Sequence, residues 1–240
     1  MEAGGEPVIA EAGADTAYKL TPEALEAAIT PRTKWLILNS PSNPTGDTLN
    51  PGFVDAVLQA AKGRALVVID EAYAEFCARP SHIPLIGRNE HLVVLRTLSK
   101  AWAAAGLRCG SVIAQPSVIG LLQRVIAPYP LPSPVVALAL EALQGDPARR
   151  QRELLARMQA NKTRLLALLE GRGFVRRVLP GEANFVLVRV DKDGKVQGPK
   201  KKGKKKKVKR VTREAEMAVS FAPVQIKPPG KKHGKHGNTP

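Results

Sequence analysis

Short, wholly apolar segments, each followed by a turn and an amphipathic stretch, limit most strongly how this chain can fold. At 66–69 the sequence Leu-Val-Val-Ile leaves no polar side that could face water. Strands buried on both faces have this pattern, and parallel sheets covered by helices contain such strands. We predict strands at residues 8–12, 35–39, 66–70, 92–97 and 110–114.

Helix starts lie between and after these strands. A capping residue followed by proline marks a helix N-terminus, because the cap accepts a backbone N–H bond and proline at the first position loses none. The last start begins a long helix with leucines along one stripe. Alternating strands and helices predict an α/β fold with a mostly parallel sheet flanked by helices. The four starts are Thr21-Pro22, Asn50-Pro51, Ser133-Pro134 and Asp146-Pro147.

Two more strands, at 175–179 and 184–190, are predicted after the long helix. They resemble the start of a small α+β domain. We therefore predict three parts: a partial large domain over 1–144, a partial small domain with the connecting helix over 145–190, and a tail over 191–240.

The tail carries most of the chain's positive charge. Of a net charge of +16, residues 191–240 contribute +12. The rest of the chain has a net charge that is ordinary for a folded domain. The overall basicity therefore does not indicate the function of that domain. Lysines at this density repel one another and bury no apolar surface, which predicts disorder. Weak, nonspecific binding of polyanions is the alternative for the tail.

Several classes of protein are excluded. No apolar run reaches the roughly 18–20 residues of a membrane helix, and the first residues do not resemble a secretory signal. The two cysteines, Cys77 and Cys109, form neither a disulfide framework nor a zinc motif, and the four histidines form no metal site. We expect a cytoplasmic protein.

Four polar clusters lie at or near the ends of predicted strands. They are residues 40–46 (Ser-Pro-Ser-Asn-Pro-Thr-Gly), 70–73 (Asp-Glu-Ala-Tyr), 96–100 (Arg-Thr-Leu-Ser-Lys) and 106–110 (Gly-Leu-Arg-Cys-Gly). In open α/β sheets, ligands bind outside the carboxyl ends of the strands. Three strands thus deliver polar groups to one rim of the sheet.

Pyridoxal phosphate chemistry would use such a set. It needs a lysine for a Schiff base, an acid beside the pyridine nitrogen, donors for the phosphate and hydrogen bonds to the ring oxygen. Each cluster alone is more often a structural turn or strand end. Their order favours the cofactor site, with Asp70 and Lys100 thirty residues apart.

These motifs resemble the class I and II aminotransferases of fold type I. The segments around 70–76, 95–101, 105–110 and 125–131 are similar to the histidinol-phosphate aminotransferases, whereas 19–39 looks more like aspartate aminotransferases of the same fold. The resemblance implies a partial pyridoxal-phosphate-dependent transferase fold. It also implies a homodimer that exchanges an amino group between histidinol phosphate and 2-oxoglutarate in histidine biosynthesis.

The resemblance also implies a role for each matched residue. Lys100 would hold the cofactor as a Schiff base and move protons during transamination, and Asp70 would pair with the pyridinium nitrogen. Tyr73 and Asn43 would hydrogen-bond the ring oxygen. The phosphate would be held by Thr97, Ser99 and Arg108.

Two elements typical of the family have no match in this sequence. One is a glycine-rich loop that binds the cofactor phosphate, normally before the matched region. The other is the arginine of the small domain that binds a substrate carboxylate. We therefore expect a truncated, impaired enzyme. The alternative is an inactive fragment whose basic tail binds polyanions.

Overall fold

The first sheet has four strands, arranged in the order in which they follow along the chain. The computed structural model describes residues 5–13, 16, 18–179, 181–191 and 215–220. Three strands are parallel and the fourth is antiparallel, as the predicted mostly parallel sheet requires. The strands are β1 (Trp35–Asn39), β2 (Leu66–Asp70), β3 (Leu92–Thr97) and β4 (Gly110–Ile113).

In the part of the chain that the structure describes, five α-helices accompany the strands, and three begin at the predicted caps. Thr21, Asn50 and Asp146 each accept a backbone N–H bond with the side chain. The helix at Gln115 was not predicted, because its first residues lack a side-chain cap. No helix in the described part of the chain is both long and apolar enough to cross a bilayer. The helices are α1 (Pro22–Ala28), α2 (Pro51–Ala61), α3 (Pro116–Gln123), α4 (Ser133–Ala142) and α5 (Pro147–Leu169).

Both faces of the central strand β2 are buried. Val67 and Ile69 point to one face, where they pack with the apolar side of α2. Val68 points to the other, where Val118 of α3 covers it. Residues of successive positions alternate between the faces of a strand, so a continuous apolar run fits a sheet with helices on both sides. The run at 66–69 therefore forms the expected strand.

Strand β1 is covered on one face only. Leu36 and Leu38 lie in the core with α2, whereas Trp35 is 51% exposed and Ile37 is 68% exposed. The predicted strand at 8–12 is wrong, since these residues form no strand and Ile9 is 81% exposed. An apolar run becomes a strand only where a neighbour satisfies its backbone groups.

The second sheet is antiparallel and packs against α5. Its strands are β5 (Val175–Leu179), β6 (Phe185–Val190) and β7 (Ala215–Ser220), with β6 in the middle. The prediction of disorder from 191 onward is wrong for β7, which pairs with β6 along its full length. Hydrogen bonds to β6 satisfy the backbone groups of this segment and offset the entropy that it loses on ordering. Residues 192–214 and 221–240 lie outside the described residues, and the domain boundaries at 144 and 190 stay a prediction.

Two glycines, Gly46 and Gly181, allow close contact between the turn at 42–46 and the loop at 181–184. A Cβ on Gly181 would clash with the Thr45 carbonyl oxygen and would lie 2.7 Å from the Gly46 Cα. The Glu182 N–H donates to the Gly46 carbonyl across the same contact, at 2.7 Å. Gly46 also has a φ of +76°, a conformation that glycine adopts without strain. The turn at 42–46 and the loop at 181–184 therefore fit together only with glycine at positions 46 and 181.

We predict that Gly181→Ala lowers the free energy of unfolding by about 1–3 kcal/mol, because the new methyl group must push two backbone segments apart. Urea unfolding would measure the loss. Gly87→Ala is the matched control, since a Cβ there meets nothing within 4 Å. Equal stabilities of the two variants would contradict the close contact.

Candidate active site

Polar groups gather at the carboxyl ends of three adjacent strands. The ladders pair Asn39 of β1 with Asp70 of β2, and Asp70 with Leu95 of β3. Asp70 continues the face of Val68, and Thr97 continues the face of Val93, and these two valines pack together. Asp70 and Thr97 therefore lie on the same face of the sheet, at the same edge.

Tyr73 brings two other predicted site residues together. Its hydroxyl oxygen accepts a hydrogen bond from Asn43 Nδ2 at 3.2 Å. The Lys100 Nζ lies 5.1 Å from the centroid of its ring, in cation–π geometry. The ring itself is 8% exposed and meets Phe185 edge-on, with the centroids 5.2 Å apart. An amide, a phenol and an amine thus converge although the three residues come from different strand ends.

The turn after β3 holds two hydroxyl groups close together. The Thr97 and Ser99 hydroxyl oxygens are 2.9 Å apart, and the Ser99 N–H donates to Thr97 Oγ1 at 3.0 Å. The Cys109 carbonyl accepts from the Leu98 N–H at 3.1 Å and lies 3.3 Å from Thr97 Oγ1. This places the loop that carries Arg108 directly beside the hydroxyl pair.

Arg108 is exposed and does not contact the hydroxyl pair directly. Its φ of +51° is left-handed. Its guanidinium donates to the Ala105 carbonyl of its own loop, at 3.2 Å. Asp70 is also held locally, with Oδ1 accepting the Ala72 N–H at 2.9 Å. Of the predicted set, Asn43, Tyr73 and Lys100 share one cluster, and Thr97 and Ser99 form a second.

Sequence reasoning missed a buried ionic network behind these residues. Glu71 is 1% exposed and accepts hydrogen bonds from Ser81 Oγ, the His82 N–H and Arg96 NH1. Burial alone would raise the pKa of Glu71, but the bonds from His82, Ser81 and Arg96 outweigh it and hold the pKa at about 2. Glu71 and Arg96 each adjoin a predicted site residue in the sequence, but their pairing follows from the register of β2 and β3.

The loop between β5 and β6 is fastened by a second charged group that sequence reasoning missed. Lys162 of α5 is 8% exposed, and its Nζ donates to the Gly181 carbonyl and, at 2.8 Å, to the Ala183 carbonyl. Burial lowers the pKa of Lys162, and the nearby Glu182 carboxylate opposes this shift. The loop leads into Phe185, so these bonds help to fix the ring that packs on Tyr73.

Comparison with known proteins identifies the family of the chain. The family model "Aminotransferase class I and II" matches residues 2–220. The chain belongs to the class I and II aminotransferases. The family is dependent on pyridoxal phosphate. This confirms the family and the fold class that the sequence motifs predicted.

Curated relatives of this aminotransferase chain are histidinol-phosphate aminotransferases. The Xylella fastidiosa protein is 47% identical over 170 residues, which cover 71% of this chain and 47% of the relative. The Xanthomonas campestris protein is 43% identical over 179 residues, covering 75% and 49%. The chain thus spans about half the length of the curated relatives that it matches.

A solved structure of a histidinol-phosphate aminotransferase is also similar to this chain. The histidinol-phosphate aminotransferase of Sinorhizobium meliloti, in complex with pyridoxal-5'-phosphate, superposes with a TM-score of 0.59 at 26% identity. The match covers 69% of this aminotransferase chain and 44% of the other.

We predict that Glu71→Gln removes part of the acid sensitivity of the fold. A carboxyl group whose pKa is about 2 when folded and about 4.5 when unfolded stabilises the fold above pH 4.5, and this contribution is lost as the pH falls toward 2. Between pH 6 and pH 3 the original chain should lose about 2 kcal/mol more unfolding free energy than the variant. Urea unfolding at both pH values would measure this, and parallel losses would contradict the assignment.

Proposed function

We propose that this chain is the cofactor-binding part of a histidinol-phosphate aminotransferase, which transfers an amino group from histidinol phosphate to 2-oxoglutarate. The convergence of Asn43, Tyr73 and Lys100 carries the proposal. The identity of 43–47% to curated histidinol-phosphate aminotransferases supports the substrate. A homodimer in the cytoplasm is part of the same proposal. The tail's polyanion binding stays a prediction.

The side chains at the strand ends fit pyridoxal phosphate by their chemistry. The cofactor has an aldehyde, a basic ring nitrogen, a ring oxygen and a phosphate. The set offers an amine, a carboxylate, a phenol beside an amide, and two hydroxyls beside a loop with an arginine. When bound, the cofactor supplies an electron sink for bond cleavage at the substrate carbon.

Lys100 is the residue proposed to attach the aldehyde and to take and return the proton at the substrate carbon. Its Nζ lies over the Tyr73 ring, and no carboxylate among the described residues forms an ion pair with it, so an aromatic face orients the amine. A cation–π contact contributes about 0.5–2 kcal/mol, less than a buried ion pair would. The amine is therefore held beside an aromatic ring rather than by a strong salt bridge.

Tyr73 and Asn43 are proposed to bind the ring oxygen together. Because Asn43 Nδ2 donates to the Tyr73 oxygen, the phenol hydrogen points elsewhere and can be donated to an acceptor on the cofactor. Phe185 packs edge-on against the same ring and restricts its motion. The donor is thus oriented before the cofactor arrives.

Asp70 is proposed to keep the ring nitrogen protonated, and Thr97, Ser99 and Arg108 to bind the phosphate. Asp70 and Thr97 share a face of the sheet, which supports a ligand that contacts both. The hydroxyls of Thr97 and Ser99 lie 2.9 Å apart and can donate to neighbouring oxygens of one phosphate.

Covalent binding of the cofactor through Lys100 is the first test. The purified chain mixed with pyridoxal phosphate should absorb in the near-visible, and borohydride should then fix the cofactor on Lys100, as peptide mass spectrometry would report. Lys100→Ala should lose the absorbance completely. Lys62→Ala, which removes an exposed lysine at the end of α2, shortly before the amino end of β2, should keep it. Label on other lysines with none on Lys100 would overturn the proposal.

Turnover is the second test, and we expect it to be slow. Correct positioning of a substrate accounts for up to roughly 7–11 kcal/mol of barrier lowering, and the family's carboxylate-binding arginine has no match here. Glutamate formation from 2-oxoglutarate would be followed with histidinol phosphate or aspartate as donor, beside the X. fastidiosa enzyme. Histidinol phosphate should be the better donor. A rate within tenfold of that enzyme would contradict the expected impairment.

A further inference from the structure

Glu71 is buried on the opposite side of the sheet edge from the proposed cofactor residues. Arg96 continues the face of Val94, which packs in the core with α2. Thr97 continues the other face, with Val93. Since Glu71 bonds to Arg96, the ionic network lies behind the sheet edge at which Asp70 and Thr97 stand.

Both carboxylate oxygens of Glu71 have polar partners within 2.9 Å. Oε2 accepts from Ser81 Oγ at 2.7 Å and from Arg96 NH1 at 2.9 Å. Oε1 accepts from the His82 N–H at 2.6 Å and lies 2.8 Å from His82 Nδ1. These four contacts, two on each oxygen, restrain the orientation of the carboxylate. A charged group this well bonded is costly to move, because displacement exposes every donor at once.

Arg96 joins two carboxylates that follow β2. NH1 bonds to Glu71 and NH2 bonds to Glu75 at 2.8 Å, and only 24% of the arginine side chain is exposed. The planar guanidinium holds both acceptors at a fixed separation, which a lysine ammonium could not do. The arginine on β3 therefore grips the segment 71–75 at both of its ends, and Tyr73 lies between them.

We propose that Glu71 and Arg96 are positioning residues for the cofactor site, an inference that rests on the proposed function. Their ion pair ties the segment that carries Asp70 and Tyr73 to the segment that carries Thr97, Ser99 and Lys100. Glu71 adjoins Asp70, and Arg96 adjoins Thr97 and precedes Lys100 by four residues. The pair sets the separation between the group that would hold the ring nitrogen and the groups that would hold the aldehyde and the phosphate.

The backbone alone does not fix this separation beyond the strand ends. The ladder between β2 and β3 ends with the Glu71 N–H on the Leu95 carbonyl, at 3.0 Å. From there the chain turns through Tyr73 on one side and through Ser99 on the other. The ion pair links the two turns at their base, and the contact of Lys100 with the Tyr73 ring links them further along.

The test uses the full chain loaded with pyridoxal phosphate, in two variants. Glu71→Gln keeps the shape and removes the charge, and Arg96→Lys keeps the charge but cannot reach both carboxylates. The first readout is the pH at which the near-visible absorbance of the bound cofactor changes. The second is the dissociation constant for pyridoxal phosphate, from titration of the same band. Both variants should shift the absorbance midpoint and weaken retention about tenfold, the effect of one lost charged hydrogen bond.

Controls separate positioning from general stability. Leu25→Ala removes a buried side chain of α1 and should cost comparable stability by urea unfolding while leaving the midpoint and the affinity unchanged. Arg149→Gln breaks an exposed ion pair with Glu153 and should change neither. Should Glu71→Gln not fold, Arg96→Lys decides alone.

The outcomes distinguish the two proposals. An original chain that never acquires the absorbance overturns the proposed function and this inference with it. An original chain that acquires it, with folded variants that match its midpoint and affinity, overturns this inference alone. The same result follows if Leu25→Ala shifts both readouts as far as the two positioning variants do.

Discussion

The pairing of β2 with a parallel strand on each side is the constraint on which the rest of the site depends. Val67 and Ile69 have no exposed surface, so the strand cannot slip by one residue without turning its buried set outward. With the register fixed, Asn39, Asp70 and Leu95 stand in one row. Asp70 is a candidate cofactor residue within this row. The other candidates lie in the segments that follow it, or in the loop that carries Arg108.

Beyond the row, side chains rather than backbone ladders hold the site. In front, Tyr73 gathers Asn43, Lys100 and Phe185 around one ring. On the opposite face of the sheet, the ion pair of Glu71 with Arg96 links the ends of β2 and β3. The second sheet joins through the loop at 181–184, where two glycines allow backbone contact and Lys162 binds the loop's carbonyls. The site is therefore assembled from both sheets, and Phe185 is the second sheet's contribution to it.

Local sequence patterns predicted most of the helices and strands, but they could not predict contacts between residues that are distant in the sequence. The apolar run at 66–69 and the cap at Asn50 each depend on neighbours in sequence, and the strand and helix formed where predicted. The pairing of Glu71 with Arg96 depends on strand register, which a single sequence does not display. The strand at 215–220 was not predicted, because the lysine-rich composition around it suggested disorder. Its pairing with β6 is a contact between distant residues that composition does not reveal.

The family resemblance supplied the roles of the site residues, and the structure supplies an energetic reason why Arg108 can fulfil its proposed role. Its guanidinium is exposed and donates to one neutral carbonyl, that of Ala105. That bond has one charged partner, whereas a bond to an anionic phosphate has two and is the stronger. Exchange of the one for the other is favourable without any change in the fold. The Cys109 carbonyl already fixes the base of this loop beside Thr97, so only the side chain has to turn.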